Sequence, residues 1–280
     1  MASRKRVGVI GNPVEHSLSP VFQQAAFDHA GIAATYERWL TTDEELPARI
    51  NGLRAPDAIG ANVTVPHKVA VAELVDELGD TARRIGAANT VINRDGHLIG
   101  ENTDTYGFHR ALVTARPAAE RDRVLVIGAG GAARAVVAAL GDIGVAGITV
   151  ANRSPENARS MLRAIGLEGA QVIPLVDWDL MGAIRDHSVI VNATSIGWND
   201  DTEVLAPALL DAVDRDGLVA DLTYRPTPLL RGAAARGIPT MDGLPMLIYQ
   251  GARSFELWTG LEAPTELMFA AVRQRQAEQE

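Results

Sequence analysis

The sequence predicts an α/β chain of two domains, the second a doubly wound parallel sheet of the Rossmann type. Three observations carry that prediction. The chain has 280 residues, roughly twice the usual domain size. Short apolar runs alternate with helical patterns along most of it, as in parallel sheets covered by helices. Val124-Leu125-Val126-Ile127 runs directly into Gly128-Ala129-Gly130-Gly131-Ala132-Ala133, a strand, a glycine-rich turn and a helix in the order that dinucleotide sites need.

Taken in order, residues 7–10 are a short buried strand closed by Gly11-Asn12-Pro13. Residues 21–30 read as a helix, with Pro20 at a tolerated first-turn position and Gly31 as the stop. Residues 36–40 and 59–65 are further strands, the second ended by Pro66. Residues 68–78 carry Val71, Leu74, Val75 and Leu78 at helical spacing and are expected to form one helix. Residues 90–93 and 97–100 form a hairpin around Asp95-Gly96. A second unit starts near Asp104 with a helix through Phe108 and Leu112. It continues through the strand 124–127, the glycine turn, a helix over 132–140 and a strand over 148–151. Residues 189–192 and 218–221 are buried strands, and residues 244–257 are a long tail helix. Periodicity does not say where that tail docks. The expected division is residues 1–104 with 244–280 in one domain and 105–243 in the other.

Composition narrows the function. Lys and Arg number 26 against 35 Asp and Glu, a net charge of -9, and no basic run offsets it; nucleic-acid binding is not expected. The absence of cysteine excludes disulfides, a thiol nucleophile, Cys-ligated zinc and iron–sulfur clusters. No His/acid spacing suggests a metal. The basic start Arg4-Lys5-Arg6 precedes an apolar stretch too short for an export signal, and no window approaches the roughly 20 apolar residues of a membrane span. A soluble cytoplasmic protein is the expectation, which leaves the sequons at Asn62 and Asn192 unglycosylated.

In the glycine turn, Gly128 permits the tight bend, Gly130 lets backbone approach a pyrophosphate, and Ala133 allows close packing of helix on sheet. A plain glycine-rich turn is the competing reading. At the end of the next strand stands Asn152-Arg153-Ser154, where NAD sites usually carry an acid. A guanidinium can pair with a ribose phosphate that a carboxylate would repel, which favours NADP over NAD; alternatively Arg153 is a solvated turn residue. Elsewhere Ser17 and Ser19, Thr64 and Lys68, Asn89, and Asp104 lie at strand ends or the loops after them. Each has a plainer explanation: Ser17 as a cap, Asn89 and Asp104 as turn residues, Lys68 as a surface lysine. Convergence of strand ends on one crevice favours the functional reading of the set.

Gly11-Asn12-Pro13, Ser17-Leu18-Ser19-Pro20, Asn62-Val63-Thr64-Val65-Pro66-His67-Lys68, Gly86-Ala87-Ala88-Asn89-Thr90 and Asn102-Thr103-Asp104 resemble the shikimate dehydrogenase family. The likeness continues in order through Gly128 to Ala132, Asn152-Arg153-Ser154, Asn192-Ala193-Thr194-Ser195, Asp221-Leu222-Thr223-Tyr224 and Asp242-Gly243-Leu244-Pro245-Met246. It implies reversible, NADP-dependent reduction of 3-dehydroshikimate to shikimate, on the route to chorismate and the aromatic amino acids. It further implies that Ser17, Ser19 and Tyr224 hold the substrate carboxylate, while Thr64, Asn89, Asp104 and Gln250 face the ring hydroxyls. Lys68 and Asp104 would sit at the reacting carbon, and the tail helix would return to the first domain, bringing Gln250 with it. For the cofactor the resemblance points to Gly128, Ala129, Gly130, Gly131 and Ala132. It adds Asn152, Arg153, Ser154, Pro155, Glu156 and Asn157, then Leu222 and Gly243. Asp80 is carried only by its expected place in the helix after Lys68. The implied partner is a small molecule, with the chain a monomer or homodimer. A quinate/shikimate dehydrogenase of broader specificity and a catalytically silent NADP-binding paralogue are the alternatives.

Overall fold

The computed structural model describes residues 4–198 and 200–278. Its first unit holds the chain up to Gly107 and again from Leu247; the second is Phe108–Met246.

The first unit opens with β1 (Lys5–Gly11), α1 (Ser19–His29), β2 (Ala34–Leu40), α2 (Leu46–Gly52) and β3 (Ala58–Val63). There follow α3 (Lys68–Leu74), β4 (Glu77–Leu78), α4 (Asp80–Ile85) and the hairpin β5 (Thr90–Arg94) and β6 (His97–Glu101). The strand order is β2-β1-β3-β5-β6-β4; β1 runs parallel to β2 and β3, and β5 is antiparallel to β3 and β6. At the hairpin turn Asp95 and Gly96 both have positive φ, 53° and 90°, the twist-compatible turn that Asp-Gly favours. Leu46, Ile50, Val71 and Ala82 bring α2, α3 and α4 onto the strand residues Ile10, Ala61, Val63 and Val91.

Helix α5 (Asp104–Ala115) leads into a single-turn 3-10 segment and then β7 (Arg123–Ile127), α6 (Gly131–Ile143), β8 (Gly147–Asn152), α7 (Pro155–Ala164) and β9 (Gln171–Pro174). Next come α8 (Asp177–Asp186), β10 (Val189–Asn192), α9 (Pro207–Leu210), β11 (Leu218–Asp221), α10 (Pro228–Ala234) and β12 (Thr240–Met241). This second sheet is parallel throughout, in the order β12-β11-β10-β7-β8-β9. The order reverses between β7 and β10, and the open-sheet rule puts a ligand crevice beyond the strand ends there. Ala133, Ala135, Ala138 and Ala139 are buried along α6; their small side chains let the helix lie close to the strands.

The chain closes with α11 (Leu244–Thr259) and α12 (Thr265–Ala277). In the first unit α12 packs on α1, and the Phe27 ring lies 5.2 Å from Phe255 of α11. Gly251 marks the crossing of α11 over α1, since a methyl group there would overlap the Phe22 ring.

One predicted element differs. The helix after Lys68 ends at Leu74, because Val75 is extended (φ -90°, ψ 162°), and Glu77–Leu78 pairs with β6 instead. Asp76 explains the break: its carboxylate accepts from Leu98 N at 2.7 Å and from both terminal nitrogens of Arg54. Asp80 accordingly is not in the helix after Lys68 but at the first turn of α4, exposed and paired with Arg83 at 3.2 Å.

Candidate active site

In the first unit the ends of β3 and β6 and the start of α5 bring side chains together around Asn89. Lys68, the first residue of α3, donates from Nζ to Asp104 Oδ2 at 2.6 Å, and Asp104 is nearly buried. The other carboxylate oxygen accepts from Asn89 Nδ2 at 2.8 Å. Asn89 is oriented by an unambiguous donor: its Oδ1 accepts the Thr103 backbone N–H at 2.7 Å. Its amide protons therefore face Asp104 and Gln250 Oε1, the latter at 3.1 Å. Gln250 spends one amide proton on Leu247 O at 2.8 Å and keeps the other. The sequence brings Lys68, Asn89, Asp104 and Gln250 together from four separate segments.

Beneath this group lies a layer of neutral polar side chains that the sequence reading did not single out. Ser254, one turn beyond Gln250, is fully buried and donates to Gln250 O at 3.0 Å. It accepts from Asn62 Nδ2 at 2.9 Å and touches Thr90 Oγ1 at 2.8 Å and Thr103 Oγ1 at 3.2 Å. Asn62 Nδ2 also donates to Asn89 O, which fixes its amide sense, so Asn62 Oδ1 accepts the Tyr36 hydroxyl at 2.7 Å. Burial pushes the Tyr36 hydroxyl far above its ordinary range, with the Ser19 side chain hydrogen-bonded to it as the largest opposing influence. Every member is satisfied, the condition under which a buried polar network rigidifies a site. The readable signals were the doublets Asn89-Thr90 and Asn102-Thr103 and the four-residue spacing of Gln250 and Ser254.

Ser17 and Ser19 stand at the entry to α1. Ser17 Oγ accepts the Ser19 N–H at 3.3 Å, which leaves the Ser17 proton for a ligand. Thr64 follows β3, half-buried, its backbone N–H bound to Ile10 O at 2.8 Å. His67 is buried with Nε2 2.7 Å from Thr41 O, a packing role.

In the second unit the strand ends carry the other set. Gly128 has φ +111° and a methyl group there would sit 2.9 Å from Thr194 Cγ2, so only glycine makes this turn. At Gly130 and Gly131 an added methyl group would meet nothing within 4 Å. The backbone is thus open to an approaching group at the first turn of a thirteen-residue helix, with Ala129 and Ala132 flanking it. A helix start of this kind favours an anion, and a dinucleotide pyrophosphate fits it. Asn152 Nδ2 donates to Ser154 O at 2.9 Å, and Asn157 N closes the turn on the same carbonyl at 3.0 Å. Pro155 and Glu156 open α7. Arg153 is exposed, and among the described residues no carboxylate pairs with it. Leu222 and Gly243 touch: a methyl group on Gly243 would overlap the Leu222 carbonyl, and Gly243 N donates to Thr223 O at 2.7 Å. Tyr224 packs edge-on against Trp198 at 5.0 Å. Asn192 and Asp221, joined at 2.9 Å, are buried and hold the loops after β10 and β11 in place.

A parallel sheet of this strand order with an open glycine turn accepts a dinucleotide, and a lysine–carboxylate pair set among amides and hydroxyls suits proton transfer at a substrate oxygen. That combination defines a dinucleotide-dependent oxidoreductase. Family models described as "Shikimate dehydrogenase substrate binding domain", "Shikimate / quinate 5-dehydrogenase" and "Shikimate 5'-dehydrogenase C-terminal domain" match residues 9–91, 112–200 and 243–273. The NADP(+) shikimate dehydrogenase of Bacillus cereus is 40% identical over 268 residues, 93% of this chain and 95% of the relative. The chain belongs to the shikimate dehydrogenase family. Among solved structures, the Aquifex aeolicus shikimate dehydrogenase superposes with a TM-score of 0.90 at 38% identity, covering 98% of this chain and 99% of that one. The Thermus thermophilus enzyme, solved in complex with NADP(H) and shikimate, gives 0.86 at 38% identity, covering 96% and 99%.

Proposed function

We propose that this chain catalyses the reversible, NADP-dependent reduction of 3-dehydroshikimate to shikimate, in the cytoplasm, as a step toward chorismate and the aromatic amino acids. The first unit takes the substrate and the second the dinucleotide. The observation that carries the reading is the Lys68–Asp104 pair at 2.6 Å, set against Asn89 and Gln250. An intact pair also argues against a silent paralogue.

When bound, the dinucleotide supplies the hydride that reduces the ring ketone. Lys68 has three N–H donors, one of them on Asp104. A second stabilises the negative charge developing on the ketone oxygen and delivers the proton to it. Asp104 fixes the ammonium group and accepts from a neighbouring ring hydroxyl. Gln250 offers its remaining amide proton to another hydroxyl, and Thr64 a third contact. Asn89 has both amide protons on protein partners, so its first task is to hold Asp104 and Gln250 in place. Ser17 and Ser19 receive the carboxylate. Gly128 to Ala132 cradle the pyrophosphate, Arg153 and the turn through Asn157 take the ribose phosphate, and Leu222 and Gly243 complete that site.

The test is a panel of initial rates with shikimate and quinate, each with NADP and NAD. Shikimate with NADP should give by far the highest kcat/KM. Quinate carries an extra hydroxyl on the carboxylate-bearing carbon, which needs room and a partner; comparable kcat/KM for quinate would place the chain with the broader enzymes.

A further inference from the structure

Arg38, near the end of β2, donates to the Ser17 carbonyl from both Nε (3.2 Å) and Nη2 (2.7 Å). A guanidinium has five N–H donors, and two are used here. The side chain is exposed, and among the described residues no carboxylate is paired with it. Among the described residues, Arg38 is the cation that grips the backbone of a serine assigned to an anionic group. Ser17 and Ser19 are neutral donors: their hydroxyls can bind a carboxylate but bring no positive charge to balance it. The chain as a whole has a net charge of -9, so an anionic substrate approaches against a repulsive field unless a local cation offsets it.

We infer that Arg38 is a positioning residue for the substrate carboxylate: it holds the Ser17 loop through the backbone carbonyl and presents a positive charge beside the two serine hydroxyls. This rests on the reading of Ser17 and Ser19 as the carboxylate site. Two functions are combined in one side chain. The fork on the carbonyl sets where the Ser17 hydroxyl points, and the charge raises the encounter rate and affinity for an anion. Because Arg38 is solvent-exposed, its electrostatic part should be screened by salt.

The experiment compares wild type, Arg38→Gln and Arg38→Lys with shikimate and saturating NADP at ionic strengths of about 0.02 and 0.5 M. Arg38→Gln should raise KM roughly tenfold at low salt with kcat little changed, the scale of one charge-assisted hydrogen bond at an exposed site. The difference should shrink at high salt, and Arg38→Lys should recover most of it. An unchanged KM in Arg38→Gln overturns the inference. So does an equal, salt-independent loss in both variants, which would leave only the loop clamp. Ser17→Ala in the same assay keeps the underlying reading separate: wild-type turnover with unaltered KM in Ser17→Ala refutes the carboxylate site itself, whatever Arg38 does.

Discussion

Replacing Gly251 with alanine sets two known effects against each other. In the interior of a helix, alanine is favoured over glycine by about 1 kcal/mol. On α11, however, the new methyl group would overlap Cε2 of Phe22, lie 2.8 Å from Phe22 Cζ and sit 3.1 Å from Gln23 Nε2. Phe22 is fully buried and cannot swing aside, and Gln23 is tied to the Gly251 carbonyl at 2.8 Å. Overpacking of this kind costs about 1–3 kcal/mol, and contact on the ring puts the site near the upper end. The overlap wins, so Gly251→Ala should destabilise the first unit by about 1–2 kcal/mol net. Because the preceding residue is Gln250, the shift of α11 away from α1 should also raise the shikimate KM severalfold while kcat changes less. Urea unfolding gives the first quantity and initial rates the second. Phe22→Leu supplies room, so the double variant should lose less stability than the sum of the singles. A more stable Gly251→Ala protein, or strict additivity with Phe22→Leu, would refute the argument that this helix crossing is set by contact.

Lys68→Ala should lower kcat by about 100-fold or more, the usual contribution of a positioned acid–base group, with a modest change in KM. Asp104→Ala should damage both, since it removes a substrate contact and the partner of Lys68; steady-state kinetics separates the two patterns. Arg153→Ala should weaken NADP binding by about 1–3 kcal/mol and NAD binding much less, measured by calorimetric or fluorescence titration. In the second unit, burial holds the His187 imidazole below its ordinary range. Its Nδ1 faces Ala183 O at 2.6 Å and must donate, so Nε2 accepts from Thr149 Oγ1 at 2.8 Å. A depressed folded-state value stabilises the fold above the unfolded value near 6.5 and loses that stabilisation as pH falls below it. The Tm should therefore drop on going from pH 7.5 toward 5, and His187→Gln should flatten the profile.

The parts of the fold legible in the sequence were those with local causes. Apolar runs at 124–127, 189–192 and 218–221 became strands because buried parallel strands need no polar face, and Gly31 and Asp95-Gly96 ended elements where positive φ was required. The stripe Val71, Leu74, Val75, Leu78 misled because its spacing also suits a short helix followed by an edge strand. The decision lay in Asp76, whose partners Arg54 and Leu98 are 22 residues away in either direction. Helix α2 escaped notice for a related reason, being seven residues long with Pro47 in its first turn. In the candidate site, Lys68, Asn89 and Asp104 were readable as polar residues at strand ends. The roles of Tyr36, Asn62 and Ser254 were not, since hydrogen bonds between positions 62 and 254 leave no pattern in either neighbourhood.

The discontinuity of the first unit bears on how the protein is made. Ribosomal synthesis releases domains from the N-terminus onward, yet this unit lacks Ser254, Phe255 and Trp258 until nearly all of the chain has been translated. Until then Asn62 has no Ser254 hydroxyl, Phe27 has no ring from α11, and the Val91 carbonyl lacks the Trp258 indole that donates to it at 2.9 Å. Residues 108–246 are uninterrupted and have no such wait. The second-made unit is thus the first that can finish, and the emerging N-terminal unit, covered by α2 to α4 on one side, must wait without the contacts of α11 and α12 for the whole time that the segment between is being built.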